Sequence, residues 1–296
     1  MKTESQIKIL ILGASGMLGN ALYRFFSESD GFITHGTCRS PNFVQALPVS
    51  LRHNIVQDVD VENESSLAQL LTQLRPNIVV NCVGLVKQLA EANDAVAAIK
   101  INALLPHQLA RHCKQVNARL IHVSTDCVFS GKKGNYTEQD MPDAQDLYGR
   151  SKLLGEVDYD NAITLRTSII GHEINSNHGL VDWFLSQTGQ VKGFRKAIFS
   201  GLPTVELARV IRDFVIPHPE LRGTYHVSAS PINKYELLKL VANAYCKQIN
   251  VVADDNLVID RCLDSTRFKL ATGYQTVPWT ELIGQMHKFS QSSCRQ

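Results

Sequence analysis

No stretch of this 296-residue chain approaches the roughly 18 consecutive apolar residues of a membrane span. An excess of one charge is also missing. Thirty lysines and arginines face 28 aspartates and glutamates, a net charge of +2, with no basic stripe interleaved with aromatics. That excludes the electrostatic footprint of a nucleic-acid or anionic-membrane binder. The seven cysteines, at 38, 82, 113, 127, 246, 262 and 294, include no C-x-x-C pair. Their odd number and their place in apolar runs such as VVNCVG exclude a disulfide framework and predict reduced, buried thiols in the cytoplasm. The ten histidines form no HExxH or paired Cys/His signature, so no metal centre is predicted. His122, inside an apolar run, reads as a satisfied core histidine. The apolar run in MKTESQIKILIL is too short for a signal-peptide core.

A hydrophobic fraction of 44% beside 20% charged residues is ordinary for a chain that buries a core. Short β-branched runs alternate with helical periodicity through the first half. Residues 7–12, 32–39, 53–59, 77–84 and 118–125 read as strands. Residues 17–28, 64–75 and 93–116 read as helices, the last kinked at Pro106. Apolar strands alternating with helices predict a parallel sheet covered on both faces, an α/β doubly wound (Rossmann) fold. After about residue 170 the pattern weakens. We therefore expect a nucleotide-binding domain over 1–170, rejoined by about 198–220, and a smaller α/β substrate-binding domain over 171–296.

ILGASGMLGNAL sets Gly13, Gly16 and Gly19 after the first strand and at the start of a helix. In such a loop one glycine turns the chain, one admits a pyrophosphate at the helix N-terminus, and one lets helix and strand pack closely. The second strand ends in GTCRS, offering Arg39 and Ser40 and no carboxylate. A guanidinium suits a 2′-phosphate, so NADPH is favoured, with NADH possible.

Tyrosine precedes lysine by four positions twice, at Tyr148–Lys152 and Tyr235–Lys239. Spacing alone does not separate them. Ahead of Tyr148 a strand ends in VSTDCVFSG, and Tyr148, Ser151, Lys152 and Gly155 share a small, polar helix face. Reducing a ketone needs a hydride and a proton for the developing alkoxide. A phenol at its usual pKa of about 10 serves poorly at neutral pH, and a lysine cation beside it favours the phenolate. The Thr125 hydroxyl is placed to hold the carbonyl oxygen. Tyr235 shares its face with Leu238 and Val241, as a core-packing helix does.

Together these motifs resemble an extended short-chain dehydrogenase/reductase. STDCVFSGKKGNYTEQDMPDAQDLYGRSKLLGE, at 124–156, resembles the catalytic block of the dTDP-4-dehydrorhamnose reductase family. LRTSIIG, GLPT, GTYHVS and LDSTRFKLATGY follow in the family's order, so the likeness covers nearly the whole chain. The resemblance implies NAD(P)H-dependent reduction of the C4 ketone of a nucleotide-activated 6-deoxy-hexulose, in polysaccharide sugar biosynthesis, by a monomer or homodimer. It makes Thr125, Tyr148 and Lys152 catalytic. Beside Arg39 and Ser40, it assigns the cofactor to Gly13, Gly16, Met17, Leu18, Gly19, Asp58, Val59, Asn81, Cys82, Val83, Gly84, Asn102 and Lys152. It assigns the substrate to Asp126, Cys127, Ile169, Gly201, Pro203 and Thr204. The chain departs from the family where a tryptophan usually stands (Ile169), where a tyrosine follows STD (Cys127), and in AIFSG, which lacks the usual Asp-Gln pair. A UDP-linked N-acetylated 4-keto sugar is therefore an alternative substrate. A regulatory subunit that keeps the nucleotide pocket is the alternative of another class.

Overall fold

A computed structural model describes residues 6–85, 94–174 and 177–292. The chain divides into two compact units. The first comprises 1–124, 145–165 and 220–224, and the second comprises 125–144, 166–219 and 225–296. The chain thus crosses between units repeatedly, returning to the first at Gln145–Leu165 and again at Glu220–Thr224.

The first unit is built on a seven-stranded sheet. Its strands are β1 (Ile7–Leu12), β2 (Phe32–Thr37), β3 (Ile55–Val56), β4 (Ile78–Asn81), β5 (Arg119–Thr125), β6 (Ala162–Thr167) and β11 (Gly223–His226). They lie in the order β11-β6-β5-β4-β1-β2-β3, and the pairs β1–β2, β1–β4, β2–β3 and β4–β5 are parallel. This is the doubly wound order expected of a dinucleotide fold, with the switch point between β1 and β4. Ile9, Leu10, Ile11 and Leu12 are fully buried because helices cover both faces of the sheet's centre. The third strand is far shorter than 53–59, because Asp58 turns to a left-handed conformation at φ 56° and ends it.

The helices of this unit are α1 (Met17–Ser27), α2 (Asn42–Ala46), α3 (Glu64–Leu74), α4 (Ala95–Ala98), α5 (Leu105–Gln115) and α6 (Leu147–Leu154). On one face, Leu67, Leu70 and Leu71 of α3 and Leu105, Leu109 and Cys113 of α5 close over Leu10, Leu12, Val79 and Leu120. Asn63 caps α3 by accepting the Ser66 N–H at 3.1 Å, and Asp146 caps α6 by accepting the Gly149 N–H at 2.8 Å. Each cap is worth ~1 kcal/mol.

The helix expected over 93–116 is neither one regular helix nor simply bent at proline. Asn93 lies outside the described residues. Between α4 and α5 the chain widens into π-helix over Ile99–Leu104, with Leu105 N–H bonding to Lys100 O. Pro106, in the first turn of α5, has no N–H to offer the Asn102 carbonyl four residues back. Gly155 packs directly on that carbonyl, since a Cβ there would lie 2.0 Å from Asn102 O. The wide turn thereby sets Asn102 against α6.

The second unit holds small sheets. β7 (Ile169–Ile170) pairs in parallel with β10 (Leu202–Pro203), and β8 (Gln190–Phe194) with β13 (Asn250–Asp254). β9 (Ala197–Phe199) lies between β12 (Ile232–Asn233) and β14 (Ile259–Asp260). Helices α7 (Leu180–Ser186), α8 (Thr204–Val210), α9 (Lys234–Ala244), α10 (Thr266–Thr272) and α11 (Trp279–Ser292) complete it. Among the described residues no helix is long and apolar enough to cross a membrane.

Candidate active site

The three glycines of the first turn meet three different demands. Gly13 has φ +80°. Its N–H bonds to Thr37 Oγ1 at 3.1 Å, and Ala14 N–H bonds to Thr37 O at 2.8 Å, pinning the turn to β2. A Cβ on Gly19 would lie 2.0 Å from Gly13 O, so only glycine lets α1 approach β1 this closely. Gly16 is different. Among the described residues a Cβ there would meet only Gly13 O, at 3.6 Å, so no packing demand from them requires a glycine. Gly16 is exposed, and it is the N-cap of α1 without a side-chain cap, leaving the first-turn N–H groups uncommitted to any cap. Met17 is half-buried, and Leu18 is buried beneath. This exposed cradle fits a dinucleotide phosphate.

Beyond β2, Arg39 and Ser40 are exposed. Ser40 Oγ accepts the Asn42 N–H at 3.3 Å, while no hydrogen bond or ion pair engages Arg39 among the described residues. Asp58 is exposed at the end of β3, and Val59 is buried with its N–H on Cys38 O at 3.1 Å. Burial, with Asp58 nearby, pushes the Cys38 thiol up.

The segment after β4 lies against α6. Asn81 is fully buried, and its Oδ1 accepts the Val83 N–H at 3.0 Å. Asn102 Oδ1 accepts the Leu85 N–H at 2.9 Å, and its Nδ2 donates to Leu85 O and to Ser151 Oγ, both at 3.2 Å. Ser151 Oγ donates to Tyr148 O at 3.0 Å. A Cβ on Gly84 would sit 3.3 Å from Asn102 Oδ1 and 4.0 Å from Lys152 Nζ. Gly84, Asn102 and Lys152 are thus brought together, and Cys82 is near enough for its thiol, pushed up to about 12 by burial, to feel the Lys152 charge.

Lys152 is 5% exposed and donates to Val123 O at 2.9 Å. Burial pushes its pKa down to about 8, against the opposing pull of Glu156 and Cys82. Glu156 is held in turn by the Ser124 hydroxyl at 2.8 Å. Tyr148 opens the same helix, half-buried, one turn ahead of Lys152. The second pair ends differently. Lys239 sits 5.0 Å from the Tyr235 ring centroid and 3.4 Å from Glu236 Oε2, while Leu238 and Val241 are buried. This is a cation over its helix neighbour on a packing helix.

Thr125, Asp126 and Cys127 begin the second unit. Thr125 Oγ1 accepts the Cys127 N–H at 3.1 Å and donates to Asp126 Oδ1 at 3.2 Å. Burial raises the Asp126 pKa against the pull of Arg261, and lowers that of Lys234 against the pull of Asp126. Sequence reasoning missed these two cations, which lie more than 100 residues away along the chain. Cys127 is pushed up to about 12 by burial and by Asp126, so it is no ready nucleophile. Ile169 is half-buried. Gly201, Pro203 and Thr204 are all buried. A Cβ on Gly201 would lie 2.3 Å from Ser168 O, and one on Gly171 would lie 2.6 Å from Thr204 Oγ1. Close packing around β7 and β10 accounts for this motif.

His122 departs from expectation. It is fully buried, yet among the described residues its Nε2 has no hydrogen-bond partner.

The sheet order, the glycine turn after β1 and the Tyr-x-x-x-Lys helix after β5 define an extended short-chain dehydrogenase/reductase fold. Within that class, the chain belongs to the RmlD substrate binding domain family, whose sequence model matches residues 7–288. It is similar to the dTDP-4-dehydrorhamnose reductase of Aggregatibacter actinomycetemcomitans, at 23% identity over 96% of this chain and 99% of that one. It is also similar to mouse methionine adenosyltransferase 2 subunit beta, at 28% identity over 80% of this chain and 72% of that one. The crystal structure of a dTDP-4-dehydrorhamnose reductase from Clostridium acetobutylicum superposes with a TM-score of 0.77, at 24% identity over 96% of this chain and all of that one. That of Bacillus anthracis, in complex with NADP, gives 0.75 at 22% identity over 95% and 98%.

Proposed function

We propose that the protein is an NADPH-dependent oxidoreductase that reduces the C4 ketone of a nucleotide-activated 6-deoxy-hexulose, in the manner of dTDP-4-dehydrorhamnose reductase. The observation that carries this reading is Lys152, a buried cation fixed to Val123 O one helical turn from Tyr148 and beside Gly84. A buried ammonium is costly, and burial lowers the Lys152 pKa accordingly. Beside a phenol, that charge favours the phenolate and eases proton release. Tyr148 gives its proton to the ketone oxygen, and the Thr125 hydroxyl is assigned to hold that oxygen as charge develops. Gly13, Gly16 and Gly19 seat the dinucleotide phosphates, Asp58 and Val59 border the adenine, and Asn81–Gly84 line the remainder. Bound NADPH supplies the hydride. The reaction runs in the cytoplasm, in a monomer or homodimer.

Arg39 selects NADPH by pairing with its 2′-phosphate. Arg39→Ala should raise the NADPH KM about tenfold or more and change the NADH KM little. Equal changes for both cofactors would remove this role from Arg39.

The similarity to methionine adenosyltransferase 2 subunit beta favours a second reading, a nucleotide-binding regulatory subunit. One experiment separates the two. NADPH oxidation is followed against dTDP-linked and UDP-linked N-acetylated 4-keto-6-deoxy sugars. Stoichiometric oxidation with one of them supports the reductase and names the nucleotide. NADPH binding without oxidation by any of them supports the subunit.

A further inference from the structure

His122 stands on β5 directly across from Asn81 of β4 in the parallel register. Both side chains are fully buried. The Asn81 amide lies 3.2 Å from His122 Nδ1 through its Nδ2, while its Oδ1 accepts the Val83 N–H at 3.0 Å. These two contacts fix the chemistry. A backbone N–H requires the amide oxygen, so the amide NH2 faces the histidine. An NH2 only donates, so Nδ1 must be the lone-pair nitrogen. The ring proton therefore resides on Nε2, and among the described residues that N–H has no partner. Burial, with Lys152 and His107 nearby, holds the His122 pKa well below the ordinary range, so the ring stays neutral.

A buried N–H without an acceptor is destabilising. An apolar side chain of similar size would avoid that cost. What it would lose is the acceptor that orients Asn81. We propose that His122 is a positioning residue: through its Nδ1 it orients the Asn81 amide, which fixes the turn Asn81–Leu85 against Asn102 and Lys152. Cys82 N–H ties the start of the turn to Leu12 O at 3.1 Å, and two side-chain oxygens hold the rest of it. Asn81 Oδ1 holds Val83, and Asn102 Oδ1 holds Leu85 at 2.9 Å. Between them lies Gly84, whose absent side chain leaves the backbone close to Lys152 Nζ. The Asn102 anchor continues to Ser151 Oγ and on to Tyr148 O. Release of the Asn81 side chain frees the Val83 N–H and leaves the middle of the turn without its side-chain hold, between Cys82 on Leu12 O and Leu85 on Asn102. His122 does not touch the reacting atoms and acts entirely through Asn81.

The proposal rests on the reductase reading only in taking NADPH as the ligand that lies along the turn. Its test has one readout that needs no ligand. His122→Leu removes the acceptor, and His122→Met fills the volume more flexibly should the leucine variant not fold. His122→Asn restores an acceptor oxygen near the Nδ1 position. Amide hydrogen exchange at Val83 and NADPH dissociation constants are measured for each, with melting temperatures alongside. His122→Leu should exchange Val83 about tenfold faster and bind NADPH about tenfold more weakly, with His122→Asn within about threefold of the original protein on both. Unchanged Val83 exchange in the leucine or methionine variant overturns the proposal. So does equal loss in the apolar and asparagine variants in step with melting temperature, since that is packing alone. If the original protein binds no NADPH, the reductase reading falls, and Val83 exchange still decides the role of His122.

Discussion

Tyr148→Phe is expected to lower turnover by about 10²–10⁴-fold, with the NADPH dissociation constant within about twofold of the original. The substitution removes one oxygen and keeps the ring. Asp146 still caps the helix through the Gly149 N–H, and Ser151 still bonds to the backbone carbonyl of residue 148, which the change leaves in place. The glycine turn and the Asn81–Gly84 segment are untouched. On the proposed mechanism, what disappears is the acid that neutralises the alkoxide. Single-turnover rates beside NADPH fluorescence titrations check both halves. A phenylalanine variant that turns over at the original rate removes Tyr148 from proton transfer. One that loses NADPH binding in proportion makes the tyrosine a binding residue.

Lys152→Met is expected to abolish turnover and to make the protein more stable at neutral pH. The ordinary lysine pKa is 10.5, and burial lowers that of Lys152 to about 8 in the folded state. Between these values the unfolded chain binds the proton and the folded chain does not, so stability rises with pH across that window. Below about 8 both states are protonated, and burial of the charge costs about 3 kcal/mol. Methionine removes that cost and strands the Val123 carbonyl, which returns ~1 kcal/mol of it. A net gain of about 2 kcal/mol amounts to several degrees in melting temperature at pH 7. The gain should shrink as pH rises from about 8 toward 10.5. Calorimetry at pH 7 and pH 10 tests this. A methionine variant that melts lower at pH 7 would mean that Lys152 stabilises the fold in its charged form. The same pKa has a kinetic sign. The Lys152 cation is present below about 8, so on the proposed mechanism turnover of the original protein should fall as pH rises through that region.

Local patterns carried most of the first unit. The run of apolar residues at 7–12, the glycines at fixed offsets and the helical period at 64–75 are short-range signals, and each is realised by neighbours in the chain. The wide turn at Ile99–Leu104 was not legible, because its cause is shared between Pro106 and Gly155, about 50 residues apart. The early end of β3 was hidden for another reason. Gln57 and Asp58 extend a strand-like pattern, and only the backbone conformation at Asp58 breaks it. Tyr148 and Lys152 stood out from Tyr235 and Lys239 by their surroundings, a distinction the two helices reproduce. His122 misled, since its acceptor role depends on strand register with Asn81, 41 residues away. The second unit was hardest, because its sheets join strands of two to five residues from distant parts of the chain.

The position of β11 has a consequence for synthesis. β6 ends at Thr167, and its outer neighbour does not begin until Gly223. During translation the nascent sheet is therefore one strand short for some fifty codons, with the backbone groups along that side of β6 unpaired. At 5–20 residues per second this lasts for several seconds. An open strand edge is a template for the wrong partner. Synonymous codons that slow the ribosome over this interval should therefore lower the soluble yield without altering the finished molecule.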